Sequence, residues 1–279
     1  MIEAFSFGFM QNALAAAILA SIACGVIGSL VVVNRLVFLS GGIAHAAYGG
    51  VGLALFLGLP VLPCTLGFTL AATSAAAAVM HKRSVRSDTL IGVLWAAGMA
   101  FGILLLDFTP GYNVDLISYL FGSILAVPGA DLKIMAVMLG LVVGTVVLLY
   151  NQFLSLSLDS EFSKSRGVNA QLLHIVLLCL IAVTVVLVIR VVGLILVIAL
   201  LTIPAYMAER FSPSLGRMMV AASLLSVGFC IAGLWAAYFF NLTSGASIIA
   251  VATLCFFVFS LIEGTWKKQK WRSRDRSTL

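Results

Sequence analysis

Residues 167–189 have the sequence GVNAQLLHIVLLCLIAVTVVLVI, which contains no Asp, Glu, Lys or Arg. A helix needs about 20 apolar residues to cross the hydrocarbon core of a bilayer, so this stretch predicts a membrane span. The rest of the chain is similar: 62% of all residues are hydrophobic and only 9% are charged, against about 25% in a soluble domain. The composition therefore excludes a soluble protein.

Similar uncharged stretches recur along the chain, and turn residues divide the two longest ones. Pro60 and Pro63 divide the stretch 36–81, and residues 241–245 divide the stretch 218–262. The sequence therefore predicts spans near residues 9–33, 37–58, 63–80, 89–106, 133–151, 170–190, 192–210, 217–239 and 246–263. We expect an all-α integral membrane protein, a polytopic bundle of eight to nine transmembrane helices. The glycine-rich span 37–58 is expected to pack among other helices rather than to face lipid.

The Lys and Arg residues predict the orientation, because short cytoplasmic loops collect them. One topology places all 16 basic residues in the cytoplasm except Lys133 and Arg190. It places the amino terminus outside and the carboxyl terminus in the cytoplasm, and residues 108–132 then begin and end outside. This segment is too short to cross, and predicts a re-entrant or short outer helix. We expect a transmembrane domain over 1–264 and a basic cytoplasmic tail over 265–279.

The longest polar segment predicted in the cytoplasm is 155–167, SLSLDSEFSKSRG. Asp159 is a candidate helix N-cap and Gly167 a candidate helix stop. The segment fits a short helix that docks on a partner protein, and it also fits a solvated loop. The chain has no Gly-x-x-x-x-Gly-Lys-Ser/Thr loop that would hold nucleotide phosphates, so ATP-driven transport would require another chain.

Seven short motifs of small, apolar and charged residues follow one another at characteristic spacings. They are Arg35, SGGIAHAAYGGVG at 40–52, DTLIG at 88–92, DLISYLFGSIL at 115–125, SLDSE at 157–161 before Gly167, VGLILV at 192–197 and IPAYMA at 203–208. In this order they resemble the permease family of ATP-binding cassette (ABC) importers for zinc, manganese and iron. The resemblance covers nearly the whole chain.

The resemblance implies import of a divalent transition metal through the inner membrane of a bacterium, and it implies partners. These are a second permease copy or a related permease, an ATP-binding cassette subunit and an extracytoplasmic metal-binding protein. Residues 157–167 would form the coupling helix, and the residues that couple to the ATPase would be Asp159, Glu161, Arg166 and Gly167. The resemblance also implies that the metal ion is cargo and that ATP acts only through the partner subunit. No tightly bound cofactor and no nucleic-acid partner are expected.

His45 lies inside the span 37–58, where an ionisable group is costly and usually faces a cavity or a partner. A neutral imidazole commonly binds transition metals, so His45 is a candidate metal ligand on the pathway. A histidine hydrogen-bonded across helices is the alternative. Members of the family often place an aspartate four residues earlier, on the same helical face, where this chain has Gly41. Ser40, Tyr48 and backbone carbonyls are possible substitute ligands.

Acidic residues outnumber basic residues at the predicted outer face, which favours cation entry. They are Glu3, Asp107, Asp115 and Asp131, against Lys133 and Arg190. Asp107 and Asp115 flank a turn-rich link and are candidate acids at the outer mouth of the pathway. Alternatively, they dock the binding protein or face water.

Other functional classes fit the sequence less well. An ion-coupled transporter would carry buried carboxylates, and no Asp or Glu lies in the interior of a predicted span. An enzyme would need a nucleophile with a base, or a carboxylate pair, and neither is recognisable. A permease for an iron-siderophore or vitamin B12 type substrate is the main alternative. A structural membrane protein without a transport pathway is another, and the glycine-rich span that carries a histidine argues against it. The sequence leaves open which metal is carried and whether the dimer is homomeric.

Overall fold

The computed structural model describes residues 8–82, 87–109, 124, 127–158 and 169–275. Within these ranges the chain forms ten α-helices. They are α1 (Gly8–Val33), α2 (Val37–Leu57), α3 (Val61–Lys82), α4 (Ser87–Asp107), α5 (Gly129–Leu148), α6 (Tyr150–Leu158), α7 (Ala170–Val192), α8 (Leu194–Glu209), α9 (Leu215–Phe240) and α10 (Ser244–Asp275). The predicted all-α membrane fold is confirmed.

Eight of these helices are long and apolar enough to cross a membrane, and α8 is a shorter apolar helix. The predicted span 192–210 is therefore too long, because α8 has 16 residues and reaches only about 24 Å at 1.5 Å per residue. Gly193 separates α7 from α8 with a φ of 86°, a conformation in which a residue with a β-carbon is strained.

The helix boundaries follow the predicted breaks in two places and differ in a third. Helix α2 ends at Leu57, just before Pro60, and α9 ends at Phe240, where Asn241 adopts the left-handed conformation with φ 52°. The predicted span 133–151 instead corresponds to two consecutive helices, α5 and α6, with Leu149 between them. Most of the segment 108–132, where the re-entrant helix is predicted, and nearly all of the predicted coupling helix at 157–167 lie outside the described residues. The division at 264/265 stays a prediction, and α10 continues as a helix across it.

Helix α2 is central to the bundle. Of its apolar window, 83% is buried, the largest share among the eight candidate spans. It packs mainly against α4 and α3, so the expectation that this glycine-rich helix packs among others is confirmed. Gly42 of α2 lies beside Ile91 of α4, and Tyr48, further along α2, lies beside Gly102, further along α4. The two helices therefore run parallel.

Small residues bring α2 and α4 very close together. A β-carbon added to Gly98 of α4 would lie 2.5 Å from the Cα atom of Ala46, and one added to Gly102 would lie 2.7 Å from the carbonyl oxygen of Tyr48. Real β-carbons essentially never approach other atoms so closely, so glycine is required at both positions.

Several helix ends are joined by polar contacts at one end of the bundle. It is here called the basic end, because Arg35, Arg210 and Arg217 lie there. The amide of Asn34 donates to the hydroxyl of Ser157 (2.9 Å), and the backbone N–H of Gly216 donates to the hydroxyl of Tyr150 (3.0 Å). These bonds tie α6 to the turn between α1 and α2 and to the first turn of α9.

Arg210 joins α8 to α10 at the basic end. Its guanidinium donates to the hydroxyl of Tyr206 (2.7 Å) and lies 3.8 Å from the carboxylate of Glu263. The hydrogen bond to Tyr206 and the nearby Glu263 raise the pKa of Arg210 above its ordinary value. The guanidinium is therefore charged at any physiological pH and links the end of α8 to the middle of α10.

Candidate functional site

The position of His45 follows from the small residues of α2. His45 is the ninth residue of the helix, and only 9% of its surface is exposed. Its neighbours Ala44, Ala46 and Ala47 are buried and leave room for α4 to pack directly against this turn. The sequence predicted an ionisable group inside a span, and the structure buries it between helices.

One ring nitrogen of His45 is held by its own helix. Nδ1 lies 2.9 Å from the carbonyl oxygen of Gly41. A carbonyl oxygen can only accept a hydrogen bond, so Nδ1 carries the proton and donates it. In the neutral imidazole the lone pair then lies on Nε2, which is the atom available to a metal ion. Metal-binding histidines usually have this arrangement, with the second nitrogen donating to a carbonyl or carboxylate.

The face of the His45 ring is covered by Trp95 of α4. The two ring centroids are 3.8 Å apart, and the ring planes are inclined by 23°, so the rings are stacked. Sequence reasoning missed this contact, although one signal was present. Tryptophan in membrane helices is enriched at the two interfaces, whereas Trp95 lies near the middle of α4.

Gly41 lies beside the same stack. A β-carbon at this position would meet the Cζ3 atom of Trp95 at 3.8 Å and the Cδ1 atom of Ile198 at 3.9 Å, which are ordinary van der Waals distances. A side chain at position 41 would therefore point towards Trp95, and its β-carbon fits there. In this chain the space holds no carboxylate.

The proposed substitute ligands have other contacts in the structure. The hydroxyl of Ser40 donates to the carbonyl oxygen of Val37 (2.8 Å), and the carbonyl of Gly41 accepts the bond from His45. Tyr48 is 6% exposed and packs against Gly102. Among the described residues no three His, Cys, Asp or Glu side chains come close enough to hold a metal ion. The role of His45 as a metal ligand stays a prediction.

Most of the remaining predicted site residues lie outside the part of the chain that the structure describes. Asp107 ends α4 and is exposed, whereas Asp115 lies outside the described residues, so their predicted meeting at an outer mouth stays a prediction. Asp159, Glu161, Arg166 and Gly167 also lie outside the described residues. The helix that leads into them, α6, is tied to Asn34 as described above.

An apolar cleft of about 390 Å³ lies between α1, α2, α8 and α10 near the basic end. Its lining residues are Val32, Val37, Thr202, Ile203, Tyr206, Thr253, Phe256 and Phe257. Neither His45 nor Trp95 belongs to this lining. The cleft has almost no polar surface and is therefore unsuited to a hydrated metal ion.

Comparison with known proteins identifies the family. The sequence profile described as the ABC 3 transport family matches residues 6–263. The chain belongs to the ABC 3 transport family. An uncharacterized membrane protein of Synechocystis sp. is 48% identical to it over 258 residues, which cover 92% of each chain. The manganese transport system membrane protein MntC of Listeria innocua is 34% identical over 252 residues, which cover 90% of each chain.

A solved structure shares the fold. PsaBC from Streptococcus pneumoniae in complex with Fab matches with a TM-score of 0.83 and 30% sequence identity, covering 93% of this chain and 95% of that chain. Together with the family match, this confirms the predicted resemblance to permeases of metal-type ABC transporters. The chain is a multi-pass transport permease.

Proposed function

We propose that this permease carries a divalent transition metal ion, zinc, manganese or iron, into the bacterial cell and that His45 is a ligand on its route. The observation that carries the proposal is the state of the His45 ring. Nδ1 is occupied by the carbonyl of Gly41, so Nε2 keeps its lone pair in a buried position inside a span. The metal transport relatives support the choice of cargo, and they do not favour the siderophore or vitamin B12 alternative.

The proposed route requires partners. A metal-loaded binding protein docks at the outer face, where Asp107 and Asp115 attract cations, and delivers the ion between two permease copies. The ion passes His45, and ATP hydrolysis on a separate cassette subunit moves the coupling helix at 157–167. Asp159, Glu161, Arg166 and Gly167 contact that subunit. The basic end faces the cytoplasm in this arrangement, as the positive-inside rule requires.

A single coordinating imidazole is suited to transport because it binds an ion only weakly. A permease must release its cargo, and one ligand together with water or carbonyl oxygens permits rapid exchange. Tight binding would instead require three or four protein ligands.

The test is ATP-dependent uptake of radioactive zinc, manganese and iron into vesicles that hold the permease, its ATPase and its binding protein. We expect His45→Ala to lower uptake at least tenfold, in line with the loss of a positioned metal ligand. His174→Ala is the matched control, because His174 is a half-buried histidine of another span, α7. Equal uptake by His45→Ala and the wild type, with assembly intact, would exclude His45 from the route.

A further inference from the structure

We propose that Trp95 is a positioning residue of this pathway, which holds the imidazole of His45 so that Nε2 faces the ion. The inference rests on the proposed function, because it gives Trp95 a role only if His45 meets the metal. Nothing in the sequence motifs assigns a role to Trp95, and the proposal comes from the contact between the two rings.

The His45 ring is fixed by two contacts of different kinds. The bond from Nδ1 to Gly41 holds one edge of the ring (2.9 Å), and the stacked indole covers one face (centroids 3.8 Å apart). Nδ1 and Nε2 lie on opposite sides of an imidazole. With one edge and one face occupied, rotation about the last side-chain bond would break the hydrogen bond, lose the stack, or both. The lone pair of Nε2 therefore has a single preferred direction.

The packing of α2 against α4 explains why Trp95 reaches this ring. Gly98 meets Ala46 at close range, which places the α4 backbone against the turn that carries His45. Trp95 lies three residues before Gly98 and therefore on the same face of α4. Gly41 of α2 lies beside the six-membered ring of the indole, 3.8 Å from where its β-carbon would stand.

The indole also suits a metal-bound imidazole chemically. A cation on Nε2 withdraws electron density from the imidazole and makes the ring partly positive. The face of an indole is the most electron-rich among the aromatic side chains and attracts such a ring. The stack is therefore strengthened when the ion is present. The indole also shields the imidazole, because Trp95 itself is 38% exposed and His45 only 9%.

The first experiment measures uptake by the whole transporter with Trp95→Leu, Trp95→Phe and the control Trp235→Leu. Trp235 is also exposed on a span, and its ring meets that of Phe239 at a tilt of 55° (centroids 4.4 Å apart). We expect Trp95→Leu to slow uptake about tenfold, the lower end of the range for residues that orient metal ligands. Trp95→Phe should recover most of the rate because it retains an aromatic face, and Trp235→Leu should behave as the wild type.

A double substitution separates positioning from a general effect on folding. If Trp95 acts through His45, then His45→Ala with Trp95→Leu will be no slower than His45→Ala alone, because the positioned group is already absent. Losses that multiply would overturn the proposal, as would normal uptake by Trp95→Leu in a transporter that needs His45. Normal uptake by His45→Ala would instead contradict the proposed function itself, so the two failures are distinguishable.

A second measurement does not depend on uptake. The chain has 4 tryptophans, so Trp235→Phe, Trp266→Phe and Trp271→Phe together leave Trp95 as the only source of indole fluorescence. We expect zinc chloride to change this emission saturably, and we expect the change to vanish when His45→Ala is added. Emission that does not respond to zinc in the His45 protein, or responds equally after His45→Ala, would overturn the proposal.

Discussion

At the scale of single residues, the site is defined by what surrounds one imidazole. His45 has a fixed proton on Nδ1, a stacked indole on one face and a glycine one helical turn earlier. A metal ion would therefore find the imidazole nitrogen of His45 but no carboxylate in the preceding helical turn. Imidazole suits zinc, iron and related metals, whereas manganese prefers carboxylate and carbonyl oxygens. The residue at position 41 is therefore expected to influence which ion passes.

We predict that Gly41→Asp raises the ratio of manganese uptake to zinc uptake several-fold. A β-carbon fits at position 41 without close contacts, and the new carboxylate would lie one turn from His45 on the same helical face. Competitive uptake of the two isotopes measures the ratio. Gly41→Asn is the control, because it has nearly the same shape but no charge. A similar change in both variants would assign the effect to volume and contradict a role for an added oxygen ligand.

At the scale of helices, the distance between α2 and α4 determines whether Trp95 can reach His45. Gly98 and Gly102 let the two backbones approach each other, and the stacked rings lie beside this contact. In a membrane such packing is driven by van der Waals contact between small residues, because lipid is as apolar as a leucine side chain. One added methyl group at the contact therefore forces the two helices apart.

We predict that Gly98→Ala destabilises the permease and Gly92→Ala does not. The new β-carbon of Gly98→Ala would lie 2.5 Å from the Cα atom of Ala46, and overpacking of this kind costs about 1–3 kcal/mol. At Gly92 on the same helix the added β-carbon meets nothing within 4 Å, and alanine is the better helix former. The measurement is the temperature at which half of the detergent-solubilised protein is still monodisperse. Equal temperatures for the two variants would argue against a tight α2–α4 contact.

At the scale of the whole molecule, the basic end connects the predicted coupling helix with the pathway. The bond between Ser157 and Asn34 links α6, which leads into that helix, to the turn immediately before α2. Helix α2 carries His45. A force on the coupling helix is therefore expected to reach the site through α6, Asn34 and the first turn of α2.

We predict that Ser157→Ala lowers metal uptake per ATP hydrolysed, by at most about fivefold, because a neutral hydrogen bond contributes about 1 kcal/mol. Ser155→Ala is the matched control in the same helix, because the hydroxyl of Ser155 donates only to the carbonyl of Asn151 in its own helix (2.9 Å). Uptake and phosphate release are measured together in vesicles. An unchanged ratio for Ser157→Ala, or equal losses for the two variants, would show that this bond carries no coupling.

The sequence alone determined the class of the molecule, the positions of its membrane helices and its family. Those features depend on local properties: the length of an apolar stretch, the breaks at Pro60 and Asn241, and the order of short motifs. It also made His45 a candidate metal ligand, because an ionisable residue inside a span is rare. It overestimated the length of α8, since the apolar stretch begins before Gly193, and Val192 belongs to α7.

Only the tertiary structure showed that Trp95 covers His45, that Gly41 occupies Nδ1, and that Asn34 bonds to Ser157. Trp95 and His45 are 50 residues apart in the chain, and the contact exists because glycines on both helices let the backbones meet. Apolar periodicity cannot reveal such a contact, since almost every residue of α2 and α4 is apolar or small and either helix face fits lipid or protein. The direction of each face is decided by which pairs of helices pack closely, and that depends on all the helices together.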